Sequence, residues 1–161
     1  MRVKTLRDED FTNYKEPVML IGTVSCTGKC CKEAGIPLSV CQNNELCNSL
    51  TLKVSDDRVI KRYLSNDITK GICFGGLEPF DQFSEIKDFV TELREKYNCN
   101  DTVIIYTGYY PNEIKEQVEA LKQFPNIIIK FGRYVPDSEP KYDELLGVTL
   151  ASNNQYAEKI S

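Results

Sequence analysis

Thr102-Val103-Ile104-Ile105-Tyr106 is an unbroken β-branched and aromatic run, stopped by Thr107-Gly108. A run with no polar face fits a strand covered on both sides, as strands of parallel sheets are. The same reading extends outward. Pro17 to Val24, Ile68 to Phe74 and Asn126 to Phe131 also read as buried strands, closed by Ser25, by Gly75-Gly76 and by Gly132. Between them the apolar spacing turns helical. Asp56 to Leu64 carries Val59, Ile60, Tyr63 and Leu64 behind an N-cap at Ser55, with Asp56-Asp57 in the first turn. Phe83 to Tyr97 carries Phe83, Ile86, Phe89, Val90, Leu93 and Tyr97, and Pro111 to Phe124 carries Ile114, Val118 and Leu121. This alternation predicts an α/β fold with a mostly parallel sheet and right-handed crossovers.

In such folds ligands bind beyond the carboxyl ends of the strands. The unusual residues of this chain cluster at those ends. A long loop, residues 25–49, follows the first strand and holds Cys26, Cys30, Cys31, Cys41 and Cys47; Gly75-Gly76-Leu77-Glu78 follows the second, Thr107-Gly108 the third and Gly132-Arg133 the fourth. The Pro- and acid-rich stretch from Pro136 to Asp143 reads as a loop before a tail from Leu145 to Ser161. No internal repeat is visible.

The chain has no histidine. That excludes Ser-His-Asp and Cys-His nucleophilic machinery, Cys₂His₂ zinc sites and histidine pH switches, leaving cysteine and carboxylate chemistry. Its 161 residues, 41% hydrophobic and 27% charged, suit one globular domain spanning 1–161. A net charge of −4 with Lys and Arg scattered among acids makes nucleic acid an unsuitable partner. The charged stretch from Met1 to Lys15 lacks the apolar core of a secretory signal, and the longest apolar run, Val18 to Ile21, is too short to span a bilayer. The expectation is a cytoplasmic protein without a membrane partner. In that compartment seven cysteines, an odd number, point to metal ligands or thiols rather than disulfides.

Five cysteines within one loop have three readings: spare thiols, a closed four-thiolate zinc site, or an iron-sulfur centre. The third accounts best for so dense a cluster. Cys47, Cys73 and Cys99 read as spare, with Cys73 buried in its strand. Gly75-Gly76 alone could be a tight turn, Tyr109-Tyr110 core aromatics, and Asn153-Asn154 a turn.

Taken together, Cys26-Thr-Gly-Lys-Cys30, Cys41-Gln-Asn-Asn-Glu-Leu46 and Gly75-Gly76-Leu77-Glu78-Pro79 resemble the radical S-adenosylmethionine family, in particular its glycyl-radical activating proteins. Tyr106-Thr107-Gly108-Tyr109, Gly132-Arg133-Tyr134 and Ser152-Asn153-Asn154-Gln155 are similar to later landmarks of those activators, in the same order. The family spaces its cysteines C-x₃-C-x₂-C, whereas here ten residues separate Cys30 from Cys41.

The resemblance implies a partial (β/α) barrel, and a 4Fe-4S cluster on Cys26, Cys41 and either Cys30 or Cys31. It also implies S-adenosylmethionine at the open iron, contacted by Val40, Asn43, Gly75, Gly76, Glu78, Thr107 and Asn154, with Val40 against the adenine. No side chain is implied as a catalytic acid or base. The implied activity is reductive cleavage of the cofactor to raise a glycyl radical on a larger partner, of the anaerobic ribonucleotide reductase type, with electrons from a flavodoxin or ferredoxin. Two other readings are a radical enzyme acting on a peptide or small molecule, and a non-catalytic iron-sulfur or zinc-binding partner subunit.

Overall fold

The computed structural model describes residues 1–161 apart from the side chain of Val40. In chain order the elements are β1 (Arg2–Val3), β2 (Thr5–Asp10), β3 (Val18–Thr23), α1 (Lys29–Ala34), α2 (Asn44–Asn48), β4 (Leu52–Lys53), α3 (Asp56–Leu64) and β5 (Gly71–Gly76). They continue with α4 (Phe83–Thr91), β6 (Thr102–Tyr106), α5 (Lys115–Leu121), β7 (Ile127–Phe131), β8 (Lys141–Asp143), β9 (Val148–Leu150) and β10 (Tyr156–Lys159).

The six-stranded sheet runs β10-β7-β6-β5-β3-β2. Its centre, β3-β5-β6-β7, is parallel and in sequence order. Both edge strands are antiparallel to their neighbours. The sheet is therefore mixed, with the predicted parallel strands as its core.

Period-two alternation divides the strand residues between the two faces. Met19, Ile21, Ile72, Phe74, Val103, Ile105, Ile127 and Ile129 join one apolar cluster with Val59, Ile60 and Tyr63 of α3, Ile86, Phe89 and Val90 of α4, and Leu121 of α5. All three longer helices thus pack on one face. Phe74 meets Phe89 edge to face with centroids 5.4 Å apart, and each such side chain contributes roughly 1.5–3 kcal/mol on burial. On the other face Val18, Cys73, Ile104 and Ile128 are sealed by Tyr14, Leu146 and Leu150 from the chain ends. Neither of these two layers covers the carboxyl ends of the strands.

Several expectations need adjustment. The loop at 25–49 contains α1, a 3₁₀ turn at Leu38–Val40 and α2. The charged amino-terminal stretch supplies β2, because an edge strand tolerates charges such as Arg7, Asp8 and Glu9, none of which is fully buried. Ile68 lies before β5 in a turn where its N–H donates to Asn66 Oδ1 at 2.9 Å. Ser55 stands at the N-cap of α3 but its side chain makes no capping bond. The helix predicted to Tyr97 changes to a π turn at Glu92–Lys96, and the one predicted from Pro111 begins as a 3₁₀ turn over Pro111–Glu113. The presumed loop and tail hold β8, β9 and the edge strand β10. Among the described residues no helix is long and apolar enough to cross a membrane.

Candidate metal and cofactor site

The carboxyl ends of β3, β5, β6 and β7 open into a cavity of about 660 Å³. Cys26, Cys30, Cys31 and Cys41 all line it, together with Asn43, Gly75, Gly76, Glu78 and Thr107. The fold thus brings together nearly every residue that the strand-end argument singled out. Cys47 stays exposed outside the lining, Cys99 is buried in the helix-side core, and Cys73 is buried on the opposite face. The side chain of Val40 lies outside the described residues.

Two glycines set how closely the cysteine segment approaches the sheet. Gly76 has φ +82°, and a Cβ there would meet Leu46 Cδ2 at 2.7 Å and Gly22 Cα at 3.3 Å. Only glycine lets α2 and β3 come this near. A Cβ on Gly108 would lie 3.1 Å from Cys30 Sγ.

Burial pushes the thiols of Cys26, Cys30 and Cys31 up. Neighbouring acids add to this at Cys26 and Cys30, and Cys41, in hydrogen-bond contact, adds to it at Cys31. Without a cation these sulfurs keep their protons, and a bound metal would displace them. Among the described residues no three Cys, Asp or Glu side chains stand close enough to grip a single ion. A tetrahedral zinc thiolate, with 2.3 Å bonds, would draw sulfurs to about 3.8 Å of one another. Four thiols that line one large cavity without three converging on a single point fit a cluster-sized group better.

Glu78 is 8% exposed. Its Oε1 accepts from Thr107 Oγ1 at 2.6 Å and from the Phe80 N–H at 3.1 Å, and its Oε2 accepts from the Gly108 N–H at 2.9 Å. Burial pushes its carboxyl up, opposed by these hydrogen bonds. Glu78 thereby fastens the end of β6 to the end of β5, and it occupies the Thr107 hydroxyl in doing so. Asn154 is not among the residues lining the cavity; its Nδ2 donates to Tyr110 Oη at 3.0 Å and to Arg133 O at 2.9 Å. Its neighbour Gln155 reaches the lining instead.

Lys130 escaped the sequence reading, although one lysine in Ile-Ile-Ile-Lys-Phe was a signal. It is 7% exposed and lines the cavity. Its Nζ donates to Gly132 O at 3.0 Å and lies 5.9 Å from the Tyr106 ring centroid. Burial lowers it to about 8, opposed by the charges of Glu78 and Cys30. A buried ammonium with one hydrogen bond and no ion pair among the described residues leaves room for an anionic group of a ligand.

Arg133 is also buried, at 6% exposure. It holds Glu113 through Nη1 at 2.7 Å and Nη2 at 2.6 Å, donates to Gly108 O at 3.2 Å and stacks 4.9 Å from the Tyr110 ring centroid. Glu113 is in turn paired with Lys29 of α1.

Comparison with protein families matches residues 24–156 to the 4Fe-4S single cluster domain. No curated protein and no solved structure matches the chain. The matched span begins directly after β3, runs into β10, and includes every cysteine and the carboxyl ends of β5, β6 and β7. On that span the chain belongs to the 4Fe-4S single cluster domain family.

Proposed function

We propose that this protein is a radical S-adenosylmethionine enzyme that raises a glycyl radical on a larger partner. One observation carries the reading: the cysteines share a single cavity with Gly75-Gly76, Glu78, Thr107 and the buried cation Lys130. Cys26, Cys41 and one of Cys30 and Cys31 would hold the cluster. When bound and reduced, such a cluster would supply the one electron needed to cleave S-adenosylmethionine to methionine and a 5′-deoxyadenosyl radical.

The chain's own residues bind and orient the cofactor. The Gly75-Gly76 backbone lets it approach the strand ends, Glu78 offers its remaining lone pairs to the amino group, and Lys130 offers its free N–H donors to the carboxylate. Asn43 and Leu46 close the cavity from the side of α2. Sequential strand order, with every longer helix on one face, supports a partial (β/α) barrel, and a partner's glycine loop would enter through the cavity at its strand ends. A flavodoxin or ferredoxin would supply the electron.

A second reading rests on the fourth cavity thiol. If Cys30 and Cys31 both bind, no iron is left open and the protein is a non-catalytic iron-sulfur subunit. Electron paramagnetic resonance on anaerobically reconstituted, dithionite-reduced protein separates the two. A cluster signal that changes shape with S-adenosylmethionine is expected; a signal indifferent to it selects the closed cluster. A partner-centred glycyl radical, seen only when an anaerobic ribonucleotide reductase is added, tests the partner.

A further inference from the structure

The segment separating Cys30 from Cys41 is held to the molecule at very few points. On its amino-terminal side, Ser25 O accepts from the Glu78 N–H at 2.7 Å and the Thr27 N–H donates to Asp81 Oδ2 at 2.9 Å. On its carboxyl side, Lys4 Nζ donates to Cys47 O at 2.9 Å. For residues 30–46, among the described residues, the only hydrogen-bonded or ionic link to the chain beyond 25–49 is Glu33 to Arg133. Arg133 Nη2 donates to Glu33 Oε1 at 3.0 Å, and Nε lies 2.7 Å from Glu33 Oε2. The helix carrying Glu33 is six residues long, begins after Gly28 at φ 69° and ends at Gly35 at φ 64°. So short a helix does not hold its own position.

Resting on the cluster reading above, we infer that Arg133 is a positioning residue that moors the cysteine helix through Glu33 and so fixes Cys30 and Cys31 opposite Cys41. Arg133 does not depend on Glu33 for its own place. The two-pronged grip of Glu113, the Gly108 carbonyl and the Tyr110 ring hold it there. The direction of the mooring is therefore from strand end to Arg133, from Arg133 to Glu33, and from Glu33 to the thiols. Lys29, on the same helix, reaches Glu113 and steadies the other end. Glu33 is half exposed, so its loss opens no buried hole, whereas Arg133 keeps its Glu113 partner.

The test uses Glu33→Ala, Glu33→Gln and, as a control on an exposed acid outside the network, Glu139→Ala. In the first arm, metal-free reduced protein is digested briefly with trypsin and the sites are read by mass. Cleavage after Lys29, at a bond in the same helix that is not adjacent to position 33, is expected to be about tenfold faster in Glu33→Ala, intermediate in Glu33→Gln and unchanged in Glu139→Ala, with the thermal midpoint of all three near that of the parent. In the second arm, reconstituted protein is challenged with a ferrous chelator. Iron loss about fivefold faster, with a broadened spectrum of the reduced cluster, is expected for Glu33→Ala. Equal cleavage rates in Glu33→Ala and the parent would overturn the mooring. Faster cleavage with parental iron loss and spectrum would overturn the positioning role. A parent that takes up no iron would overturn the cluster reading and this role with it, while the trypsin arm would still report on the mooring.

Discussion

The helix-covered face of the sheet and the cysteine segment at its end are held by different forces. On the covered face Phe74, Phe89, Ile86 and Ile105 are essentially without solvent contact and interlock with strands on either side. At the strand ends, α1 is fastened by ion pairs of Arg133 and Lys29, and α2 leans on glycine. The first region rests on apolar burial alone. The second is arranged by the first but lightly tied to it. Folding and site formation should therefore be separable.

Phe89→Ala breaks the first region. A fully buried aromatic residue lost without refilling costs about 3–5 kcal/mol, which urea unfolding of the metal-free protein will read as a large drop in midpoint. Cys41→Ala and Cys26→Ala should leave that midpoint within about 1 kcal/mol of the parent, as expected for half-exposed sites, yet lose iron on reconstitution. A Cys41→Ala protein as unstable as Phe89→Ala would erase the distinction between the regions.

Glu78 lies on the boundary, so its removal should show in both assays. Glu78→Ala leaves the Thr107 hydroxyl and the Gly108 and Phe80 N–H groups without their acceptor, a loss of about 1–3 kcal/mol. Calorimetric binding of S-adenosylmethionine should weaken as well. Unchanged affinity would confine Glu78 to its structural role.

Within the cavity the expected effect is one of pH. Lys130 titrates near 8 because burial disfavours its charge. An anionic group binds the protonated form, so affinity for the carboxylate should be full below that value and fall as pH rises through it. Lys130→Met should bind more weakly and lose the dependence. A parental profile in the variant would remove Lys130 from the binding site. Glu78 and Cys30 face the same ammonium and oppose its deprotonation.

The ionic clamp gives a smaller effect at acid pH. Hydrogen bonds from Arg133 depress Glu113 to about 2. A depressed carboxylate contributes stability that is complete above its unfolded value near 4.5 and is lost as pH falls toward 2. Resistance of the cysteine segment to an acid-active protease should decline over that interval, and decline less steeply in Glu113→Gln. The smallest effect belongs to Cys99→Ala, which should retain parental iron because Cys99 packs in the helix-side core.

The parallel strands were legible because each is a continuous apolar run, and a strand covered on both faces has no polar residue to mislead the eye. β2, β8, β9 and β10 were not legible. Edge and hairpin strands have one solvated side and carry charges such as Asp8, Lys141 and Glu158, so nothing local marks them. At the site, the cysteines, Gly75-Gly76 and Thr107 announced themselves by residue type. Lys29 and Glu113 did not, because surface-type charges acquire meaning only when a fold sets them opposite one another.

By itself the sequence determined the chemistry available: no imidazole, a dense group of thiols, and glycines at the ends of strands. Residue type fixes what an atom can donate or ligate, and that needs no coordinates. Only the tertiary structure decided who faces whom. It gave Glu78 to Thr107 and Gly108, turned Lys130 into the cavity, moved Asn154 to the support of Tyr110 and Arg133, and moored the cysteine helix through Glu33. Those pairings join residues 21 to 100 positions apart, a separation that no local pattern encodes and that only the packing of strand upon strand brings within bonding distance.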